Sequence, residues 1–364
     1  MSASAEPLSG FTTLRVGGPA EHLVRARTEE ELTDAALSAW SAEEPWLVLG
    51  GGSNLVIADE GVPGTVLKVE TSGIRVDGDG PLLRVAAGEN WDALVAHTVA
   101  HGWAGIEALS GIPGTAGAAP MQNIGAYGQE LAETLVAIDF LDHETGQRER
   151  VPADELELGY RTSALKRGRR GVVLAIELRL TERPDGVAGY PQLAAALGVP
   201  LGSRVPLQRI RESVLALRAA KGMVLDEADP DTHSAGSFFT NPIVSAEFAR
   251  SLPAGAPRWP VQPLPVQADL VLPLGSEVPL RPAHRPQQVK LSAAWLIEHA
   301  GISKGFSLPG SRAGISTKHS LAITNRGGAT AAQVAELSRF VRARVSAATG
   351  VELQPEPVAA GVLL

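Results

Sequence analysis

The chain has 364 residues, room for two or three domains at about 150 residues each. With 44% hydrophobic and 20% charged residues it can bury sizeable cores, and no uninterrupted apolar run approaches the ~20 residues of a membrane span. It has no cysteine, which excludes disulfides, thiolate metal sites and a Cys nucleophile, and its net charge of −8 argues against a broad nucleic-acid surface.

The opening MSASAEPLSG has neither a basic nor an apolar segment, which predicts a chain without a secretory signal and a cytoplasmic location. Thr28 and Glu31 form a capping box ahead of Leu32, Ala35, Ala36 and Trp40, the spacing of an amphipathic helix. Residues 46–49 read as a short buried strand running into Gly50, Gly51, Gly52, Ser53 and Asn54. Further strands are predicted at 64–69 and 82–87, and a second helix face at Trp91, Leu94, Val95, Thr98 and Val99. The first part is thus one small α+β unit followed by another.

Residues 105–128 carry six glycines and almost no periodicity, a loop long enough to point to function. A hairpin is expected over 135–151, a strand at 172–180, and a helix at 207–218 with Leu207, Ile210, Val214 and Leu217 on one face. Residues 253–286 hold nine prolines and read as an extended excursion. The last third resumes with a helix at 291–299, a strand at 321–324 and a helix from Thr330. No internal repeat is present.

Five constellations could carry chemistry. Gly50 to Asn54 reads either as a tight turn or as an anion nest, and it matches neither a Walker loop nor a GxGxxG fingerprint. Gly111, Gly114, Gly117, Gly125 and Gly128, with Pro113 and Pro120, build an open and mostly uncharged scaffold. Gln122 and Asn123 add amides suited to a heteroaromatic ring edge. Arg161 follows Tyr160 and is separate from the basic run Lys166, Arg167, Arg169 and Arg170, which reads as a solvated face. Ser237 sits between Gly236 and Phe238 without any GxSxG context, so a hydrolase nucleophile is not indicated. Glu356 lies between Pro355 and Pro357, which fixes its backbone direction. The eight histidines show no metal-ligand spacing.

Together with Thr12-Thr13-Leu14-Arg15-Val16-Gly17-Gly18-Pro19-Ala20, these segments resemble the UDP-N-acetylenolpyruvoylglucosamine reductases, flavoenzymes of peptidoglycan synthesis. The resemblance implies an α+β fold: a two-subdomain FAD-binding unit of the p-cresol methylhydroxylase type plus a third α+β substrate-binding domain. The implied divisions are 1–75 joined by 350–364, then 76–205, then 206–349. It also implies NADPH-dependent reduction of the enolpyruvyl ether of UDP-N-acetylglucosamine through non-covalent FAD. The cofactor would lie on Gly50, Gly51, Gly52, Ser53, Asn54, Gly111, Pro113, Gly114, Gly117, Ala118, Gln122, Asn123, Gly125, Ala126 and Ile176. Arg161, Ser237 and Glu356 would be catalytic, and Tyr160, Tyr190, Lys221, Asn241 and His319 would meet substrate or nicotinamide. The expected partners are the enolpyruvyl sugar nucleotide and NADPH, with no metal, no nucleic acid, no membrane and a monomeric state.

Two other readings compete. An oxidase of the same fold often tethers FAD to His or Cys, whereas this chain has no Cys and no His between His101 and His143. A silent nucleotide-sugar sensor is the other, and Arg161, Ser237 and Glu356 occurring together argue against it.

Overall fold

The computed structural model of the protein describes residues 6–78, 80–261 and 287–364. Strands β1 (Ala20–Ala26), β2 (Trp46–Leu49), β3 (Leu55–Ile57) and β4 (Val62–Val69) and helix α1 (Glu29–Ser41) make the first unit. β4 lies between β1 and β2 in a parallel sheet. Its consecutive Val66 and Leu67 are both fully buried, because successive side chains point to opposite faces and each face of the sheet has its own core. Both arms of the capping box on α1 are formed: Thr28 Oγ1 accepts from Glu31 N at 3.1 Å, and Glu31 Oε2 accepts from Thr28 N at 3.3 Å.

The second unit is a five-stranded antiparallel sheet. Its strands are β5 (Ile74–Asp77), β6 (Leu82–Ala86), β7 (Leu135–Asp142), β8 (Arg148–Pro152) and β9 (Gly171–Arg179), ordered β8-β7-β9-β6-β5. Helix α2 (Trp91–Ala100), capped by the Asn90 side chain, packs Trp91, Leu94 and Val95 into the same core as the Leu67 face of the first sheet. The two units therefore share one interior and hold the segments between them rigidly.

The glycine-rich stretch between α2 and β7 is not structureless. It winds into 3₁₀ turns at Glu107–Leu109 and Ala116–Gln122, which small Gly and Ala side chains allow to lie directly on neighbouring backbone. Next come β10 (Asp185–Val187), α3 (Pro191–Leu197), β11 (Arg204–Pro206) and α4 (Leu207–Ala219). Ile210 and Val214 of α4 join Leu193 and Leu197 of α3 in a small core, and Leu207 joins the main one. α4 packs with the elements that precede it, whereas the sequence reading places it at the start of the third domain.

The last unit contains β12 (Ile243–Ser245), α5 (Ala246–Ser251), β13 (Arg258–Pro260), β14 (Gln288–Leu291), α6 (Ala293–His299), β15 (Ala313–Ile315), β16 (Ile323–Asn325) and α7 (Ala331–Thr349). Val334, Leu337, Val341 and Val345 of α7 are fully buried at the expected spacing. Of the proline-rich excursion 253–286, the described part supplies β13; residues 262–286 lie outside the described residues. The chain ends in β17 (Val358–Ala360), which pairs in parallel with β3 of the first unit. Asp59 tightens the same join, its carboxylate accepting from the Ala331 and Ala332 N–H groups at the start of α7 at 2.7 and 2.9 Å.

Candidate active site

Between the first two units runs a cleft of about 530 Å³. Gly50, Gly51, Gly52, Ser53 and Asn54 form one wall, and Ile112, Pro113, Gly114, Thr115, Gly117, Ala118, Ala119, Met121, Gln122 and Ile124 form the other. Trp46, Phe140, Arg169, Arg170 and Gly171 line it as well, as does Val358 of the C-terminal strand. The glycines here serve a purpose the sequence reading did not separate from ligand approach. A Cβ on Gly51 would stand 2.6 Å from Gly114 Cα, and one on Gly117 2.5 Å from Ala87 Cβ, so the two walls meet backbone to backbone.

The C-terminal chain carries Glu356 to this cleft. Glu356 N donates to Phe238 O at 2.9 Å and Val358 N donates to Asn54 O at 2.9 Å. Its carboxylate lies 3.4 Å from Arg161 Nε and accepts from Gln122 Nε2 at 3.0 Å. Arg161 itself sits in the left-handed region, φ 53°, and donates to Asn123 O at 3.3 Å and Gly125 O at 2.7 Å. Two of its five N–H groups are thus hydrogen-bonded and the Nε edge faces Glu356, which fixes the guanidinium and leaves one N–H on each terminal nitrogen. Burial pushes the Glu356 carboxyl above its ordinary range, against the pull of Arg161, Lys166 and the Gln122 amide. Ser237 is half-buried in the turn made by Gly236 (φ +73°), next to the Phe238 carbonyl that receives the Glu356 N–H.

The other expected substrate residues fall into two groups. Tyr160 lies beside Asn241, whose Oδ1 accepts from Ala293 N at 3.0 Å at the start of α6. Lys290 Nζ lies 4.9 Å from the Tyr160 ring centre. Farther along, Tyr190 packs edge-on to Tyr127 at 6.0 Å, and Lys221 Nζ donates to Gln192 Oε1 at 2.9 Å while facing the Tyr127 ring. His319 is near Lys221 and Lys304; burial and these two cations press its imidazole down to about 4, so it is neutral at pH 7.

Five residues expected at the cofactor are not among those lining this cleft. Ile176 is fully buried between Val85 and Ile138, farther along β9 than the cleft-lining Gly171 and Val173 and beyond a register shift against β7. Gly111 faces α4, where a Cβ would come within 2.9 Å of Leu215 Cδ2, and its N–H donates to Asp92 Oδ1 at 2.6 Å. Asn123 is buried, bonding Glu130, Gly159 O and Ala132 N, and Gly125 and Ala126 form a short pair with Gln129 and Glu130. These four shape the loop without lining the cleft.

A relative from Leifsonia xyli named UDP-N-acetylenolpyruvoylglucosamine reductase is 56% identical, with 98% of each chain covered. The chain belongs to the UDP-N-acetylenolpyruvoylglucosamine reductase family. A relative of the same name from Saccharopolyspora erythraea is 50% identical over 96% of this chain and 93% of its own. Residues 229–360 match the C-terminal domain model of the family, and residues 20–151 match an FAD binding domain model. The crystal structure of the reductase from Thermus caldophilus superposes with a TM-score of 0.65 at 28% identity, covering 97% of each chain. The fold is α+β, with an FAD binding domain.

The family's FAD fits the cleft on its own terms. The volume is in the ~300–1,000 Å³ range of ligand pockets, the glycine walls offer bare backbone, and Trp46, Trp91 and Phe140 supply flat apolar surface. The sequence reading missed Trp46, Phe140, Arg169 and Arg170, which are far apart in the chain and carry no motif. Lys166, read as part of a solvated run, is exposed, and its Nζ reaches Gln122 Oε1 at 3.4 Å.

Proposed function

We propose that Arg161, Ser237 and Glu356 carry out the reduction that this family performs: NADPH-dependent, FAD-mediated conversion of the enolpyruvyl ether of UDP-N-acetylglucosamine to UDP-N-acetylmuramate. The observation that carries the residue assignment is the convergence of Arg161, Gln122 and Glu356 beside the Ser237 turn at the cleft. FAD, when bound, supplies the redox chemistry, accepting a hydride from NADPH and delivering it to the terminal carbon of the enolpyruvyl group.

Negative charge then builds on the adjacent carbon and the substrate carboxylate. Arg161, always protonated and with two N–H groups uncommitted, is suited to that carboxylate. Ser237 gives its hydroxyl proton to the carbon adjacent to the hydride acceptor, completing addition of H⁻ and H⁺ across the double bond. Glu356, raised by burial and aligned by Gln122, stabilises and orients the enol-like state. Tyr160 and Asn241 on one side and Tyr190, Lys221 and His319 on the other are assigned to the sugar nucleotide and the nicotinamide.

Among the described residues no helix is long and apolar enough to cross a membrane and no group of three metal-ligating side chains occurs. We assign the enzyme to the cytoplasm, as a monomer. The test is Ser237→Ala. Flavin content and flavin reduction by NADPH should remain near normal, whereas flavin reoxidation by the enolpyruvyl sugar should slow by roughly 10²–10⁴-fold. Stopped-flow traces at the flavin band separate the two. Collapse of the NADPH step with survival of the other would place Ser237 at the nicotinamide.

A further inference from the structure

The basic run beyond Arg161 is four cations with different surroundings. Arg167 pairs with Glu157 toward solvent, and Arg169, at the cleft edge, pairs with Glu149 and Asp142. Arg170 lies 5.2 Å from the ring centre of Trp46. Lys166 is exposed, but its head group reaches back to the Glu356 cluster, its Nζ 3.4 Å from Gln122 Oε1 and 3.2 Å from Arg161 O.

Its direction is set by the way residues 161–166 grip residues 121–125. Arg161 donates to the carbonyls of Asn123 and Gly125. Two residues on, Ser163 Oγ donates to Met121 O at 2.7 Å and accepts from Lys166 N at 3.1 Å. The lysine therefore leaves a turn pinned at both ends and reaches the amide oxygen of Gln122. The same amide group donates from Nε2 to Glu356 at 3.0 Å. An amide has one oxygen and one NH₂, so a cation on the oxygen fixes which way Gln122 faces and keeps its N–H groups on the carboxylate. Asn54 Nδ2 reinforces this orientation, donating to Gln122 Oε1 at 3.2 Å and to Glu356 O at 3.4 Å.

We propose that Lys166 is a positioning residue for Glu356, holding the carboxylate in place beside Arg161 through the Gln122 amide. The proposal rests on the reading of Glu356 as a group that acts on substrate. The charged and titratable groups around Glu356 are Arg161, Lys166 and Tyr160 from one segment, with neutral Gln122 and Asn54 from the two cleft walls. Burial raises the carboxyl, and Arg161 and Lys166 oppose it. Removing one of the two cations leaves burial less opposed, so Glu356 must take up its proton at higher pH.

The experiment uses the FAD-loaded full chain labelled with carboxyl-¹³C glutamate. The Glu356 resonance is the one lost in Glu356→Gln. In Lys166→Met its titration midpoint should rise by about one pH unit, the effect of losing a nearby opposite charge, and in Lys166→Arg it should return toward the parent value. The pH limb of flavin reoxidation by the enolpyruvyl sugar should shift by the same amount. An unchanged midpoint in Lys166→Met would overturn the proposal and leave Lys166 a surface cation. A shifted midpoint together with wild-type turnover in Glu356→Gln would uphold the positioning role while removing Glu356 from the reacting groups.

Discussion

A Cβ on Gly51 would lie 2.6 Å from Gly114 Cα, a distance that real side chains essentially never adopt, and a tight 3.0 Å from its carbonyl carbon. The two cleft walls touch at this point, so a side chain there must push them apart rather than merely narrow the cleft. Gly51→Val should therefore yield a folded but colourless protein, and titration with FAD, followed by flavin fluorescence, should show binding at least about tenfold weaker, a loss above 1.4 kcal/mol. Full yellow colour after purification would show that the walls can separate without disturbing the cofactor. The triplet was visible in the sequence as a place where backbone comes close to something. What it comes close to was not, because Gly114 is a distant partner chosen by the fold. The reach of Lys166 to Gln122 was hidden for a similar reason: its neighbours Arg167 and Arg169 are also basic, and the pinned turn at Ser163 distinguishes it.

Whole elements were more legible than their partners. The capping box of α1, the strands β6 to β9 and the helix from Thr330 depend on local residues, and each forms close to where the pattern places it. The attachment of α4 depends on Asp92, which no local pattern reveals. Its carboxylate meets Arg211 of α4 at 2.6 and 2.8 Å and accepts from the Gly111 N–H, so one side chain fixes a helix and the start of the glycine-rich loop. The matched family domain begins at residue 229, in accord with a break after α4, and we propose that the substrate domain starts there. Burial works to raise the Asp92 carboxyl, but the Arg211 fork and the Gly111 N–H hold it below its ordinary value. For a carboxylate lowered in this way, the stabilisation is present above the unfolded value near 3.9 and is lost as pH falls through the folded one. Asp92→Asn should cost about 1–3 kcal/mol at pH 7, the range for charge-assisted hydrogen bonds, and the cost should shrink toward pH 3. Denaturant melts of both proteins across that range measure it, and a pH-independent difference would assign the loss to packing instead.

At the scale of the molecule, the catalytic proposal depends on the chain returning to its beginning. Arg161 and Glu356 are read from opposite halves of the sequence, and nothing in their spacing brings them together; the resemblance to the family does so first, and β17 shows the physical means. Val358 N and Ala360 O bond Asn54 O and Ala58 N at 2.9 Å each, adding a parallel strand beyond the glycine triplet. Arg339 and Arg342 of α7 donate to the Leu363 and Leu364 carbonyls at 2.6 and 2.8 Å, anchoring the last residues from the other side. Deleting residues 358–364 removes both anchors but leaves α7 with its buried face and the cleft walls 50–54 and 112–124 intact. The shortened chain should remain folded, with Tm lower by about 2–4 °C for each kcal/mol lost, and should keep most of its FAD. Flavin reoxidation by the enolpyruvyl sugar should fall as far as in full-length Glu356→Gln, because the carboxylate is present but no longer held at Arg161. Flavin reduction by NADPH should be affected less. Wild-type rates in both steps would mean that Pro355, Pro357 and the Phe238 carbonyl position Glu356 unaided, and that β17 serves only to close the fold.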